Sequence, residues 1–413
     1  MSNVNMPEVR IQEYDYDLPH DQIAIFPKDK RDESKLLVFQ NKQILHHTFS
    51  DIPVFLPKNS CLIFNNTKVI PARILIEKST GATIELFLLR PVAHQNFTEI
   101  LRSKEQSLVW EALVGNKKRW KEVDCLQKSI QVNALEVEVV FAWENREENL
   151  VRISWNQEAS MSELLDALGK TPLPPYMERE ATDFDVERYQ TVFSKEVGAV
   201  AAPTASLHFT EQTLKDISAA NISQLFLTLH VGAGTFLPVK EENVSNHPMH
   251  REQVVISKSL VEQLMAHKGP FVPVGTTALR ALESLYWTGI YLMENNFQLE
   301  GTLIIPKEFA YQHRAMKDNK TALTAVLEYL IQHQLENWVF ETELLIMPGY
   351  SFHFCDALVT NFHQPKSTLL VLISALVGDD WKKIYQSAKD NAYRFLSYGD
   401  SSLLFNQNMN DFH

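Results

Sequence analysis

The sequence predicts an α/β fold that carries a separate antiparallel β region, and three observations support this. Apolar side chains recur every second residue over much of the range 60–156, as in strands with one buried face. Strand-like and helix-like segments alternate after residue 160, which is typical of α/β proteins. The 413 residues also exceed the ~100–200 residues of one ordinary domain, so we expect two domains.

The β region shows its alternation most clearly at 136–141 and 151–155, where valine, isoleucine and aromatic residues alternate with charged or polar ones. No long helical pattern interrupts it, so we expect a small antiparallel barrel or sandwich. A short helix at Met161–Leu168 and a proline-rich stretch at 172–175 then form a connector.

The α/β region begins beyond this connector. Strands are predicted at 224–230 and 271–274, and helices at 258–266 and 278–286. Apolar residues at helical spacing predict two further helices, within 321–334 and 385–395.

The composition is that of a folded globular protein, with 45% hydrophobic and 22% charged residues. The longest apolar run, 368–377, is shorter than the ~20 residues of a membrane-spanning helix, and the N-terminus lacks the apolar core of a signal peptide. The sequence therefore predicts a cytoplasmic protein. Cys61, Cys125 and Cys355 are odd in number and far apart, so neither a disulfide framework nor a zinc site is indicated.

The formal net charge of −12 argues against a protein that coats nucleic acid through bulk electrostatics. Any RNA contact must therefore be local. The one dense basic stretch surrounds Trp120 and is a candidate for binding a phosphate backbone; it contains Lys117, Lys118, Arg119 and Lys121. A solvated turn between two strands explains it equally well.

A glycine-rich segment at 231–239 follows a predicted strand and resembles a nucleotide-binding loop, with Glu252 at a suitable distance. Pro238 and Pro248 lie where the required helix should begin and run, so the segment is not a Rossmann fingerprint. Gly232 and Gly234 can still allow a ligand to approach the backbone, although a plain tight turn is the alternative.

His250 and Glu252 are two residues apart, so their side chains would point the same way from an extended segment. An imidazole beside a carboxylate can act as an acid and base near neutral pH. An exposed polar strand is the alternative.

Two segments place polar residues at the start of a helix. Thr276 and Thr277 begin the helix that carries Arg280, and helix N-termini favour anions and acceptor atoms. A threonine N-cap is the alternative. The second segment precedes a helix that is apolar on every side and contains Thr360, Asn361, His363 and Ser367. Ser367 as an N-cap would explain only one of these four.

Two compact polar segments, 203–209 and 398–405, are further candidates for binding. The first contains Thr204 and His208; in the second, Tyr398 could stack on a base and Asp400 could face a cation. Either segment can equally be a turn.

Long strings spread over nearly the whole chain resemble the S-adenosylmethionine:tRNA ribosyltransferase-isomerase family of the queuosine pathway. They include RDESKLL, LIFNNTKVIPAR, WEALVGNKKRWK, LPPY, ERYQTVFSKEVGAVAAPTASLHF, LTLHVGAGTFLPV, VGTTALRALES, TNFHQPKSTL and YRFLSYGD. The resemblance implies a large, incompletely closed α/β barrel domain, assigned to 1–59 and 157–413, with a smaller antiparallel β-barrel domain at 60–156 inserted into it.

The resemblance also implies the reaction. The ribosyl part of S-adenosylmethionine is transferred to 7-aminomethyl-7-deazaguanine in the tRNA anticodon and rearranged, giving epoxyqueuosine with release of adenine and methionine. S-adenosylmethionine is then a co-substrate, tRNA is the partner, and no prosthetic group, metal or membrane is needed. We expect a monomer.

The resemblance gives roles to the candidate residues. His250, Glu252 and His363 are the acid-base candidates, and Arg280 is expected to hold the methionine carboxylate. Asp400 or Glu252 is expected to balance a substrate cation. The other expected substrate contacts are Thr204, His208, His230, Gly232, Gly234, Thr235, Thr276, Thr277, Thr360, Asn361 and Tyr398.

The sequence departs from the family pattern at Lys35, where arginine is usual, at Ser206, where glycine is usual, and at Gln364, where leucine is usual. The region 289–341 is longer than is typical, and its helix at 321–334 is predicted to be an added surface element.

Two rival functions remain at this point. A metal-dependent hydrolase could use His208, His230, His250, His363 and Asp356, although these residues lack a tight ligand spacing. A non-enzymatic RNA-binding protein is the other rival, and the acidic net charge weakens it.

Overall fold

The computed structural model describes residues 6–92, 96–232, 239–299, 301–313 and 317–407. Within these ranges, no helix is long and apolar enough to cross a membrane.

The strands of the described residues are numbered in chain order. They are β1 Lys35–Gln40, β2 Gln43–Thr48, β3 Cys61–Asn65, β4 Thr67–Val69, β5 Arg73–Glu77, β6 Thr83–Pro91, β7 Ser107–Gly115, β8 Leu126–Val132, β9 Leu135–Asn145, β10 Leu150–Trp155, β11 Gly169–Lys170, β12 Glu196–Ala199, β13 Ser223–His230, β14 Glu252–Ser257, β15 Phe271–Pro273, β16 Ile304–Ile305, β17 Asn337–Thr342, β18 Ala357–Asn361 and β19 Ser401–Phe405.

The helices are numbered in the same way. They are α1 Ile52–Phe55, α2 Phe97–Arg102, α3 Met161–Leu168, α4 Asp183–Arg188, α5 Glu211–Ala219, α6 Lys258–Ala266, α7 Thr276–Glu294, α8 Phe309–Gln312, α9 Asn319–Gln332, α10 Thr368–Val377 and α11 Trp381–Asp390.

The predicted β region forms a seven-stranded antiparallel sheet in the order β11-β5-β6-β7-β10-β9-β8. The sheet curls so that strands near its two edges approach each other. Lys128 of β8 accordingly donates a hydrogen bond from Nζ to the carbonyl of Leu75 in β5 at 3.0 Å. The predicted alternation is confirmed, since Val137, Val139 and Phe141 are all buried in its core. This sheet is the small antiparallel barrel.

The rest of the chain forms two curled sheets with helices around them. One has six strands in the order β15-β3-β13-β14-β17-β16, and the other has four in the order β18-β19-β1-β2. A parallel bridge between Val274 and Val359 joins them. The two sheets together form the incomplete α/β barrel, so the predicted fold class is confirmed.

The strand pairing differs from the predicted boundary at residue 60. Strand β3 pairs in parallel with β13 and β15 of the six-stranded sheet, and β4 pairs with β12. Helix α3 and strand β11 instead pack on the seven-stranded sheet. All five residues of β3 are buried, and such a uniformly buried strand does not show in its sequence which of two adjacent sheets it joins. By strand pairing, the small region runs from β5 to β11.

The helix in the lengthened region is not a surface addition. Helix α9 buries Ala322, Leu323 and Val326 in the main core and packs against α7. The approach is so close that a Cβ atom on Gly289 would lie 2.2 Å from the carbonyl oxygen of Ala322. The apolar face predicted for this helix is confirmed, but the helix packs against the central helix α7 and is not an added surface element.

Candidate active site

A central cavity of about 770 Å³, including its open mouth, lies where several parallel strands end. Strands β13, β15 and β18 all run toward it, and the chain that follows each strand lines it. Ligands of open α/β sheets commonly bind at such carboxyl ends. The cavity brings together six residues predicted from the sequence to bind substrate or act in catalysis, namely Thr204, Thr276, Thr277, Thr360, Asn361 and His363.

Two helix N-termini face this cavity. Helix α7 begins after Gly275, whose φ of +89° favours glycine and which provides no side-chain cap. The first-turn amides of α7 are therefore left for other acceptors, and the buried Oγ1 of Thr277 has no hydrogen-bond partner among the described residues. Helix α10 is capped by Ser367, whose Oγ accepts from the amide of Leu370 at 3.2 Å, so the predicted N-cap is confirmed. Both ends offer a partial positive charge.

His363 is the one imidazole in the described lining of the central cavity. Its backbone amide donates to the hydroxyl of Tyr385 at 3.0 Å, and its Nε2 lies 3.0 Å from Oγ1 of Thr360. Burial lowers the pKa of His363 to about 3. The ring is therefore neutral at physiological pH, and in the described part of the chain no group is hydrogen-bonded to its Nδ1.

Asn361 connects the central cavity to a histidine behind it. Its Nδ2 donates to the carbonyls of Leu396 and Ser397, so its Oδ1 must accept from Nε2 of His208 at 2.9 Å. This fixes the tautomer of His208, whose Nδ1 then accepts from Oγ of Ser34 at 2.7 Å. Burial lowers the pKa of His208 to about 4. His208 thus positions Asn361 and does not itself line the central cavity.

Other predicted residues lie in a second cavity between the barrel and the six-stranded sheet. This cavity of about 1080 Å³, including its mouth, is lined by His230, Gly232 and His250 together with residues of β6 and β7. His230 stacks on Phe97 with a centroid distance of 5.4 Å, and burial lowers its pKa to about 3. His250 is exposed at the mouth.

The predicted pair of His250 and Glu252 does not form. Glu252 is the first residue of β14, and its buried carboxylate accepts from Nη1 of Arg280 at 2.7 Å. A buried carboxylate requires such a partner, whereas His250 precedes the strand and faces solvent. Arg280 lies off the central cavity, and its Nε and Nη2 have no partner within the described ranges.

Tyr398 and Asp400 also lie outside the central cavity. Asp400 accepts from the amides of Lys35 at 2.9 Å and Arg394 at 2.8 Å, so both of its oxygens hold backbone. The hydroxyl of Tyr398 donates to Asp185 at 2.9 Å. Gly234 and Thr235 fall outside the described residues.

The basic stretch lies at one end of the barrel. A turn of 3-10 helix at Lys117–Arg119 follows β7, and Lys118, Arg119 and Lys121 are exposed. Lys78, which directly follows β5, donates a hydrogen bond from Nζ to the carbonyl of Arg119 at 2.9 Å, so the basic stretch packs beside the turn between β5 and β6. None of these residues lines the central cavity.

Comparison with known proteins gives the family. A family model described as "Queuosine biosynthesis protein" matches residues 11–404. Proteins named S-adenosylmethionine:tRNA ribosyltransferase-isomerase are similar over 96% of this chain: that of Aquifex aeolicus is 36% identical and covered to 100%, that of Nitrosomonas eutropha 35% and 98%, and that of Francisella philomiragia 33% and 100%. This chain belongs to the S-adenosylmethionine:tRNA ribosyltransferase-isomerase family.

A solved structure is also similar. The crystal structure of S-adenosylmethionine tRNA ribosyltransferase from Thermotoga maritima is 24% identical, covers 95% of this chain and 99% of its own, and gives a TM-score of 0.45.

Membership of the ribosyltransferase-isomerase family makes the chain an enzyme and does not favour either rival function. The five residues of the proposed hydrolase site are also dispersed: His208 bonds Asn361, His230 stacks on Phe97, and Asp356 accepts from the amide of Phe271. Among the described residues, no group of three or more His, Cys, Asp or Glu side chains is placed to hold a metal ion.

Sequence reasoning missed several residues of the central cavity. Tyr176 and Ser397 line it and are hydrogen-bonded to each other, and Gln364 adds an amide where the family usually has leucine. Tyr176 lies in the LPPY string, so its position in a family motif was the available signal. Ser397 had the same kind of signal, because it lies in the YRFLSYGD string, although its place beside the cavity depends on a loop that returns from α11.

Proposed function

We propose that this chain transfers and rearranges the ribosyl moiety of S-adenosylmethionine onto 7-aminomethyl-7-deazaguanine in tRNA, with epoxyqueuosine, adenine and methionine as products. The observation that carries the proposal is the convergence of two helix N-termini, four threonine hydroxyls and one neutral histidine on the central cavity.

The central cavity is suited to a sulfonium nucleoside. No Lys, Arg, Asp or Glu appears in its described lining, so no fixed cation would repel the sulfonium. Hydroxyl and amide oxygens can instead face the cation. The helix N-termini of α7 and α10 favour the methionine carboxylate or ring acceptors of adenine, because their amides carry partial positive charge.

His363 is the acid-base candidate that this geometry supports best. The sulfonium acidifies the protons of the neighbouring 5′ carbon, and a neutral imidazole nitrogen can accept one. A hydrogen bond to a ring nitrogen of adenine would assist its departure. His363 can offer either interaction because its ring is neutral and its Nε2 is already fixed by Thr360.

Five other residues remain predicted contacts, but the central cavity does not explain their roles. They are Arg280, Glu252, His250, Tyr398 and Asp400. Each lies off the central cavity in this conformation, and we therefore assign substrate binding to the six converging residues first. We also propose that the enzyme works in the cytoplasm as a monomer with no prosthetic group, consistent with its tRNA substrate.

The test is to incubate the protein with S-adenosylmethionine and tRNA carrying 7-aminomethyl-7-deazaguanine. We expect adenine and methionine to appear in equal amounts with the modified nucleoside in the tRNA. S-adenosylhomocysteine with methylated tRNA would instead identify a methyltransferase, and no consumption of S-adenosylmethionine would contradict the proposal.

A further inference from the structure

A third, smaller cavity of about 280 Å³, including its open mouth, lies beside the central cavity, and we call it the arginine cavity. The cations that line it are Lys28, Arg31, Arg188 and Arg394. Ser397 lines both cavities, and the hydrogen bond between His208 and Asn361 connects them. The described lining of the arginine cavity contains no carboxylate.

Backbone carbonyls hold the three guanidinium groups in place without neutralising them. Arg31 donates to the carbonyl of Leu207 at 3.1 Å, Arg188 to that of Asp29 at 2.9 Å, and Arg394 to that of Phe26 at 3.1 Å. Such fixed guanidinium groups are suited to planar recognition of phosphate.

The positive charge of the arginine cavity is poorly compensated. Asp400 approaches Arg394 only to 3.8 Å, and Arg31 and Arg188 form no ion pair among the described residues. The buried Nε atoms of Arg188 and Arg394 also have no hydrogen-bond partner in the described part of the chain. Burial, followed by repulsion from Arg188, lowers the pKa of Arg31. A bound anion would relieve this repulsion and satisfy the free donors.

Exposed aromatic rings lie next to this cavity. Phe26, which precedes Pro27 and Lys28, is 51% exposed, and Phe184 in α4 is 50% exposed. Arg179 lies 4.2 Å from the ring centroid of Phe26, and Arg188 lies 5.3 Å from that of Phe184. Open aromatic faces beside cations are typical of surfaces that bind single-stranded nucleic acid.

We propose that the arginine cavity binds a backbone phosphate of the RNA substrate next to the modified base, with Phe26 and Phe184 stacking on neighbouring bases. The proposal rests on the proposed function and locates the RNA on the side of the molecule where the two cavities meet. It also explains how a chain with a net charge of −12 binds RNA, since the cations are concentrated at one place. The barrel stretch at Lys117–Arg119 is then not the main RNA-binding surface.

The first test is Lys28→Glu, because Lys28 is exposed and its replacement leaves the guanidinium groups in place. We expect the KM for the modified tRNA to rise about tenfold or more, with the KM for S-adenosylmethionine and the Tm unchanged. Lys215→Glu, an equal charge change on the exposed face of α5, is the control and should keep the wild-type KM values. Phe26→Ser should raise the KM for tRNA in the same selective way.

A second test uses ions and salt. Inorganic pyrophosphate should compete with tRNA but not with S-adenosylmethionine, and Lys28→Glu should reduce the slope of log affinity against log salt by ~0.7 for each phosphate that is no longer neutralised. A rise in the KM for S-adenosylmethionine alone would show that the cavity holds the methionine carboxylate and would overturn the proposal. The proposal would also be overturned if Lys118→Glu raised the KM for tRNA and Lys28→Glu did not. Failure of the wild-type protein to consume S-adenosylmethionine would instead count against the proposed function.

Discussion

The central cavity and the arginine cavity adjoin each other but differ in their chemistry. The central cavity is lined by hydroxyls, amides, apolar groups and a neutral histidine, with no charged side chain in its described lining. The arginine cavity is lined by four cations. The arginine cavity would repel a cationic nucleoside, and the central cavity offers no full positive charge to a phosphate. In the proposed assignment, electrostatics separates the two substrates.

Two histidines near these cavities are kept neutral, because burial lowers their pKa values. His363 faces the central cavity, and His208 lines the arginine cavity while bonding Asn361 of the central one. A protonated His363 would add a cation to the cavity proposed for the sulfonium nucleoside. Burial therefore preserves the difference between the cavities.

The largest expected effect is that of His363→Ala on turnover. If the neutral imidazole transfers or shares a proton in the central cavity, its removal should lower kcat by roughly 10²–10⁴-fold. His250→Ala is the matched comparison, because His250 is exposed and lies in the second cavity. Adenine release by both variants would be measured with modified tRNA. A greater decrease for His250→Ala would place the acid-base chemistry in the second cavity instead.

The next effect concerns acid stability. The pKa of His208 is lowered from 6.5 to about 4, so the unfolded chain takes up a proton at higher pH than the folded protein does. The contribution of neutral His208 to the free energy of unfolding is fully present above pH 6.5. It decreases by roughly 3 kcal/mol as the pH falls toward 4, on the basis of the pKa change. Denaturant unfolding between pH 7 and 4 would measure the total decrease, to which His230 and His363 also contribute because their pKa values are lowered as well.

His208→Gln should flatten this pH dependence, although it also weakens the protein at pH 7 by disturbing Asn361. His20→Gln replaces an exposed histidine and should retain the wild-type dependence. Equal slopes in wild type and His208→Gln would show that protonation of His208 does not destabilise the fold.

A smaller, selective effect is expected from Thr277→Val. The Oγ1 of Thr277 is buried at the start of α7 without a partner among the described residues, so valine should not lower the Tm. If this hydroxyl binds the nucleoside, the KM for S-adenosylmethionine should rise about tenfold, as expected for the removal of one hydrogen bond. The KM for tRNA should not change. A rise in the tRNA value alone would reverse the assignment of substrates to cavities.

The central cavity could be predicted because its residues lie in local patterns. Thr276 and His363 each follow a buried strand and precede a helix, and such turns converge at the carboxyl ends of parallel strands. The fold class could be predicted for a similar reason, since alternation and helical spacing are local. The sheet to which β3 belongs could not be predicted, because strand pairing depends on residues far apart in the sequence.

The arginine cavity could not be predicted in this way. Arg31, Arg188 and Arg394 are far apart along the chain, and acidic neighbours such as Asp32 and Glu187 hide the charge of the first two in the sequence. The dense stretch at Lys117–Arg119 gave a stronger sequence signal, although the fold places it at the far end of the barrel. His208 similarly looked like a substrate-binding residue, and only its bonds to Ser34 and Asn361 reveal that it positions other groups.

The smallest expected effect is a gain in stability from Ser206→Ala. Ser206 lies between Thr204 of the central cavity and His208 of the arginine cavity, at a position where the family usually has glycine. Its Oγ is buried and has no partner within the described ranges, and an unsatisfied buried hydroxyl costs ~1–3 kcal/mol. Removing it should therefore raise the free energy of unfolding by about 1 kcal/mol, with turnover unchanged.

Ser284→Ala is the control for this gain. The Oγ of Ser284 donates to the carbonyl of Arg280 at 2.6 Å or pairs with Oγ1 of Thr342 at 2.7 Å, so its removal should destabilise the protein by a similar amount. Urea unfolding of both variants would measure the two changes. If Ser206→Ala is instead less stable and also raises both KM values, the hydroxyl has a partner in solution and shapes the wall that separates the cavities.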